Sequence, residues 1–398
     1  MSNVPTGNRR GSGFPDSTIE RLAGEGQSIW LDFIRRDWLT DGRVANLIGQ
    51  GLRGMTSNPT IFEQAIDSTE GSDAYAVALR DLVHDKPSVT VQEAYDRLTW
   101  DDIRAAANLF LPQYRALRAD DGYVSVEVSP LLARDTEATI QEARRIWDAL
   151  ACPNVMIKVP ATKAGLPAIT ALIAEGLNIN VTLIFSIDRY REVMDAYIEG
   201  LQKRSRAGKP LHHVRSVASF FVSRMDSLVD RLLDERAAAQ PGEASAVTRL
   251  QGKAAVANAK LAYQAFAERH QAADFAALAA AGARRQRPLW ASTSTKNPAY
   301  PDLLYVDPLI GPETVNTVPP KTLDAIQDHG RVARTVDHAV EVAASDLAAL
   351  AEHGIDLKQV TDQLEAEGVA SFEKSFATLM ASLETKLTKV ASPRGGAR

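Results

Sequence analysis

The stretch Val155-Met156-Ile157-Lys158-Val159-Pro160 decides how this chain is read. Successive side chains of a strand point to opposite faces. Val155, Ile157 and Val159 therefore share one face, and Met156, Lys158 and Pro160 share the other. The apolar face suits a covering layer of helices, so the lysine points away from that layer. One unit earlier, Val124, Val126 and Val128 oppose Ser125, Glu127 and Ser129. One unit later, Ile179, Val181, Leu183 and Phe185 oppose Asn180, Thr182, Ile184 and Ser186. Between the first two of these runs, Asp135–Leu150 carries Ile140, Ala143, Ile146, Trp147 and Leu150 at helical spacing. Strands alternating with helices predict a parallel α/β sheet.

Working outward, strand-length apolar or alternating runs recur at Ile29–Phe33, Leu52–Thr56, Tyr123–Val128, Val155–Val159, Ile179–Phe185, Val217–Val222, Pro288–Thr293 and Thr314–Val318. Ile187–Gly200 and Ser223–Leu233 read as helices between them. Eight such runs are what a single (β/α)8 TIM barrel requires. The chain has 398 residues, more than the roughly 250 of a typical barrel. Helical insertions at about 63–121 and 224–287 account for much of the excess. The alternative is that one of them forms a separate small domain. Beyond the last strand, Asp356 and Gln359 look like a capping box. Phe372, Phe376, Met380, Leu383 and Leu387 then form one apolar face of a C-terminal helix at about 370–390, expected to pack on the barrel. Residues 1–17 and 392–398 are expected to be disordered tails, leaving 18–391 as the barrel domain.

Composition narrows the class further. Hydrophobic residues make up 45% and charged residues 24%, which is ordinary for a globular chain and excludes a wholly disordered or collagen-like protein. The net charge of −5 gives no nucleic-acid footprint. No apolar run approaches the roughly 20 residues of a membrane span, and no secretory signal follows Arg9 and Arg10. Cys152, the single cysteine, rules out an internal disulfide and fits a reducing cytoplasm. It precedes the fourth strand, at the wrong end for catalysis, and is expected to be a buried, inert thiol. Neither a Gly-rich nucleotide loop nor metal-ligand spacing is present beyond the adjacent pair His212-His213, so neither cofactor nor metal is expected.

The interior of the expected barrel receives Asp32, Glu127, Lys158, Asn180 and Thr182, while Asn58 follows the second strand in the turn Thr56-Ser57-Asn58-Pro59. Burying a lysine and two carboxylates costs several kcal/mol unless they pair. A structural ion-pair cluster is one reading. A catalytic site is the other, and barrel active sites lie at the C-terminal strand ends. Desolvation disfavours an ammonium, and a neutral amine attacks a ketone to form a Schiff base. The protonated iminium is an electron sink that allows the neighbouring carbon–carbon bond to break. Carboxylates such as Glu127 and Asp32 suit the proton transfers, and Thr182 could hold the water involved. On the late strands, Ser219, Arg224, Ser292, Ser294 and Lys296 offer donors for an anion, although a surface salt bridge would also explain Arg224.

Several runs together resemble one family. Gly54-Met55-Thr56-Ser57-Asn58-Pro59-Thr60-Ile61-Phe62 is similar to the first transaldolase signature, and Val155–Thr162 followed by Gly165-Leu166 to the second. Asn180–Ser186 and Ser219–Arg224 resemble the same family, and the segment Trp290–Lys296 looks most like its longer bacterial form. The resemblance implies transfer of a dihydroxyacetone unit from sedoheptulose 7-phosphate to glyceraldehyde 3-phosphate, without a cofactor. By motif, Lys158 would be the Schiff-base lysine, Glu127 with Thr182 the proton-transfer pair, and Asp32 the base at the cleaved bond. Asn58 and Asn180 would hold donor hydroxyls, and Ser219, Arg224 and Ser292 the phosphate. Shorter relatives carry an arginine where this chain has Ser294, and Lys296 is expected to supply that charge. The competing expectations are a lysine aldolase that hydrolyses the adduct, and a barrel that binds sugar phosphates without turnover. The expected partners are small sugar phosphates, with neither nucleic acid nor membrane, and a homo-oligomer, dimer or monomer, stays open.

Overall fold

The computed structural model describes residues 17–67 and 72–391. Eight parallel strands close into a barrel in sequence order. They are β1 (Gln27–Asp32), β2 (Gly54–Thr56), β3 (Tyr123–Glu127), β4 (Val155–Pro160), β5 (Ile179–Ile184), β6 (Ser216–Phe221), β7 (Arg287–Ala291) and β8 (Thr314–Val318). The fold is the expected (β/α)8 barrel with a C-terminal helix. Most strands are buried along their whole length, as a closed barrel inside a helix layer demands.

The long gap before β3 holds the helices Pro59–Asp67, Ser72–Asp85 and Val91–Ala116. The gap before β7 holds Ser223–Ala239, Ala244–Thr248, Ala254–Arg269 and Ala273–Ala280. Ser223–Ala239 extends past the expected Leu233, and Ile187–Arg206 past the expected Gly200. The helix after β3 starts at Thr136, where the Asp135 carboxylate accepts from the Ala138 N–H at 3.0 Å. Both expected tails fall outside the described residues, except that Ser17 is ordered as the N-cap of the helix Thr18–Gly24.

Three further departures have physical causes. In β5, Leu183 has φ of +61°, and the register with β6 slips between Val181 and Ile184. The simple alternation expected through Phe185 therefore ends at this bulge, one residue beyond Thr182. After β8 the chain makes the helices Pro320–His329, Val340–Glu352 and Leu357–Ala391. The last is a single 35-residue helix, longer than the expected 370–390, and Asp356 caps it by accepting from the N–H groups of Lys358 and Gln359. Its buried face is Phe372, Phe376, Leu379, Leu383 and Leu387; Met380, assigned to that face from sequence, sits one residue farther round and is only half-buried.

That helix is tied to the insertion after β2. The Thr60 hydroxyl donates to Ser375 Oγ at 2.9 Å, and Lys386 Nζ to the Ile66 carbonyl at 2.7 Å. The Phe376 ring meets Tyr95 edge-on, with centroids 5.4 Å apart. Gly368 permits the close approach to β5. A Cβ there would lie 3.1 Å from Leu183 Cδ2 and 3.5 Å from Phe185.

Candidate active site

Strand register assembles the site. Glu127 of β3 pairs with Lys158 of β4, and Lys158 pairs with Asn180 of β5. Three inward side chains from neighbouring strands thus stand in one row. Lys158 Nζ lies 3.3 Å from Glu127 Oε2 and donates to the Ser57 carbonyl at 3.0 Å. Both residues are buried. Burial pushes the Glu127 carboxyl above the usual carboxylate range, and the Lys158 charge pulls it partly back. Apart from this ion pair, neither Glu127 oxygen has a hydrogen-bond partner among the described residues. The Thr182 hydroxyl, buried in register with Pro160, has none either.

Asp32 closes the other side. It pairs in register with Thr56, whose hydroxyl is 2.6 Å from Asp32 Oδ1 and 2.7 Å from Thr317 Oγ1. Burial raises the Asp32 carboxyl as well, against the lowering effect of Lys158 first, then of Thr56 and Lys296. An amine therefore faces two carboxyl groups that both hold their protons more tightly than in water. Such groups suit general acid–base work near neutral pH.

The two asparagines are positioned differently. Asn58 Oδ1 accepts from the Ile61 N–H at 2.9 Å and so caps the helix Pro59–Asp67. This leaves its amide N–H groups as the end available to a ligand. Asn180 is fully buried, donating to Ser125 Oγ at 3.0 Å and accepting from Ser219 Oγ at 2.7 Å. The Ser219 hydroxyl hydrogen is thus given to Asn180, which sets Ser219 apart from the anion donors with which the sequence grouped it.

Those donors gather at the ends of β6 and β7. Ser292 takes a left-handed conformation at φ +54°, which ends β7 before the expected Thr293. Its carbonyl accepts from the Ser223 N–H at 3.0 Å, and the two hydroxyls are 3.0 Å apart. Ser223 was not singled out in the sequence, where it reads simply as a helix start. Its neighbour Arg224 lies over the Phe221 ring at 5.2 Å and takes part in no ion pair among the described residues. Lys296 Nζ donates to Ser294 Oγ at 2.9 Å. Partial burial and then the Arg224 charge push the Lys296 ammonium down, with Asp32 opposing. Lys296 therefore feels both the Arg224 and the Asp32 charges.

Phe372 is the residue that sequence reasoning placed only as packing. Its ring centroid is 6.0 Å from Lys158 Nζ, so the C-terminal helix lays an aromatic face over the amine. Cys152 lies away from this cluster and is half-buried, less covered than expected, with its thiol raised by burial.

A buried amine between raised carboxyl groups, at the C-terminal strand ends of a (β/α)8 barrel, defines the class of lysine-dependent Schiff-base enzymes. The transaldolase/fructose-6-phosphate aldolase family model matches residues 29–383. Transaldolase 1 of Streptomyces avermitilis is 51% identical over 371 residues, covering 93% of this chain and 95% of the relative. The transaldolase of Thermobifida fusca is 49% identical (92% and 96% covered), and that of Trichodesmium erythraeum 46% (94% and 97%). The chain belongs to the transaldolase/fructose-6-phosphate aldolase family, and it is an enzyme of the transaldolase type.

Proposed function

We propose that the chain moves a dihydroxyacetone unit from sedoheptulose 7-phosphate to glyceraldehyde 3-phosphate, giving erythrose 4-phosphate and fructose 6-phosphate, within the non-oxidative pentose phosphate pathway of the cytoplasm. The observation that carries the reading is the buried Lys158 amine, 3.3 Å from Glu127 and close enough to Asp32 for its charge to act on that carboxyl. Lys158 Nζ adds to the donor ketone, and loss of water gives the iminium. Glu127 supplies the proton for that departing water and later takes one back. The Thr182 hydroxyl, without a hydrogen-bond partner among the described residues, and the Glu127 oxygens, engaged there only by the Lys158 ion pair, are suited to hold a water between them. Asp32 removes the proton from the donor's C4 hydroxyl. The C3–C4 bond then breaks, its electrons pass into the iminium, and erythrose 4-phosphate leaves an enamine. The enamine carbon adds to the acceptor aldehyde, Asp32 returns the proton to the new hydroxyl, and hydrolysis frees Lys158.

In this reading Asn58 and Asn180 hold donor hydroxyls, with Ser219 orienting the Asn180 amide. Arg224, Ser292 and Lys296 hold the phosphate, and Lys296 stands in for the charge that Ser294 lacks. The guanidinium of Arg224, which has no ion-pair partner among the described residues, is the main support for that part. No described helix is long and apolar enough to cross a membrane.

Borohydride reduction with fructose 6-phosphate tests the chemistry. It should trap a three-carbon adduct on Lys158, and an adduct mapped elsewhere, or none, would overturn the assignment. The matching family also includes fructose-6-phosphate aldolases. Free dihydroxyacetone release without an acceptor aldehyde measures how far this chain behaves as one.

A further inference from the structure

We propose that the opposite, N-terminal mouth of the barrel is a second anion site, taking a small, multiply charged phosphate-bearing molecule. A cavity of about 460 Å³ opens there, lined by Arg53, Arg215, Arg284, Arg285 and Arg287 around the buried Trp30. That volume is within the roughly 300–1,000 Å³ of small-molecule sites. The same lining holds three carboxylates, Asp120, Asp121 and Glu313, so two positive charges are in excess. This excess runs against the chain's overall charge of −5.

Each carboxylate is already engaged. Asp121 accepts from the Ser28 hydroxyl, from Trp30 Nε1 at 2.8 Å and from Arg287 at 3.4 Å. Asp120 faces Arg215 at 3.0 Å and Arg284 at 3.8 Å, and Glu313 pairs with Arg285 at 2.5 Å. Arg53 is left over: no side chain or carbonyl among the described residues accepts from its guanidinium, and its Nε is buried. The buried Nε groups of Arg215 and Arg287 also lack acceptors, and Arg215 is 6% exposed.

The bottom face of such a barrel ordinarily serves stability. The Arg287–Ser28–Asp121–Trp30 network does so here, by tying β7 to β1 and to the loop before β3. The Arg53 backbone bonds the barrel, its N–H donating to the Ile29 carbonyl at 2.9 Å and its carbonyl accepting from the Gly122 N–H at 2.8 Å, but closure does not call for its guanidinium, which contributes charge and donors to the cavity. Five guanidinium groups line this one concave space, and a guanidinium fork matches the oxygens of a phosphate.

The test must separate this site from the phosphate donors near Lys158. Inorganic pyrophosphate is titrated calorimetrically into the full chain carrying Arg224→Ala, then into Arg53→Met/Arg224→Ala and Arg284→Ala/Arg224→Ala. The single variant should still bind one equivalent. Each double variant should bind at least about tenfold more weakly. Arg284 is mostly exposed, so its variant decides the matter if Arg53→Met fails to fold. Arg53→Met alone should keep wild-type turnover without added anion. No binding to the single variant at millimolar pyrophosphate, or equal binding by the double variants, would overturn the proposal.

Discussion

Glu127→Gln tests the proposed proton transfer with little change of shape. Glu127 is buried, and Lys158 at 3.3 Å is its ion-pair partner. A glutamine fills the same space but cannot shuttle a proton. A positioned acid or base contributes about 10²–10⁴ in rate. Asp32, whose charge is felt at Glu127, can take over part of the work, so the lower part of that range applies. The expected fall in kcat is about 10²–10³, or about 2.7–4 kcal/mol at 1.36 kcal/mol per decade. KM should change little, because Asn58, Asn180 and Arg224 are untouched. Stability has two opposing contributions. Removing one partner of a buried pair costs about 3–5 kcal/mol, because the other charge stays uncompensated. Against that, a carboxyl whose folded pKa is raised already destabilises the native state once ionised. Lys158 also keeps the Ser57 carbonyl at 3.0 Å. The net loss should therefore fall below about 3 kcal/mol, leaving a folded enzyme to assay. Steady-state kinetics, urea unfolding and the rate of borohydride trapping measure the three quantities. Wild-type kcat with an unchanged trapping rate would refute the role given to Glu127, and so would a defect confined to KM.

Arg224→Ala should raise KM for the phosphorylated substrates by about 10–100-fold, the worth of a charge-assisted hydrogen bond of about 1.5–3 kcal/mol, with kcat nearly intact; a fall in kcat alone would contradict the phosphate role. Phe372→Ala removes the ring 6.0 Å from Lys158 Nζ. It should cost about 3–5 kcal/mol of stability as a buried Phe truncation, and should raise free dihydroxyacetone release relative to transfer because water reaches the enamine; an unchanged ratio in an acceptor-free assay would show that the ring only packs. Asp226 is buried, accepting from the Ala255 N–H at 2.7 Å and the Tyr305 hydroxyl at 2.9 Å, and burial raises it to about 7. Between its unfolded value near 4 and about 7 the native state binds more protons, so stability should fall as pH rises through that window, by at most about 4 kcal/mol. In Asp226→Asn, urea unfolding across the same window should show that slope removed.

The residues legible in the sequence share one property: local periodicity fixes where they point. Glu127, Lys158 and Asn180 each stand at an inward position of a strand whose opposite face is apolar, and strand order then forces them into one row. What the sequence did not disclose depends on contacts made after the barrel closes. Leu183 and Ser292 take left-handed backbone, although neither is a glycine that would announce it. Those two kinks sit at the C-terminal ends of β5 and β7, and Ser292 brings its carbonyl and hydroxyl to Ser223. Asn180 and Ser219 read as independent ligands, yet a 2.7 Å hydrogen bond makes them one unit. Phe372 reads as an ordinary core position because its helix has a single apolar face. The anchoring of that helix through Thr60, Ile66 and Tyr95, and its close packing at Gly368 on β5, carries the ring to the lysine. The division follows the mechanism proposed here. Charged groups that make and break bonds must sit at fixed strand positions, where a two-residue period writes them into the sequence. The cover that keeps water from the enamine is built from distant apolar residues, each of which is chemically indistinguishable from core.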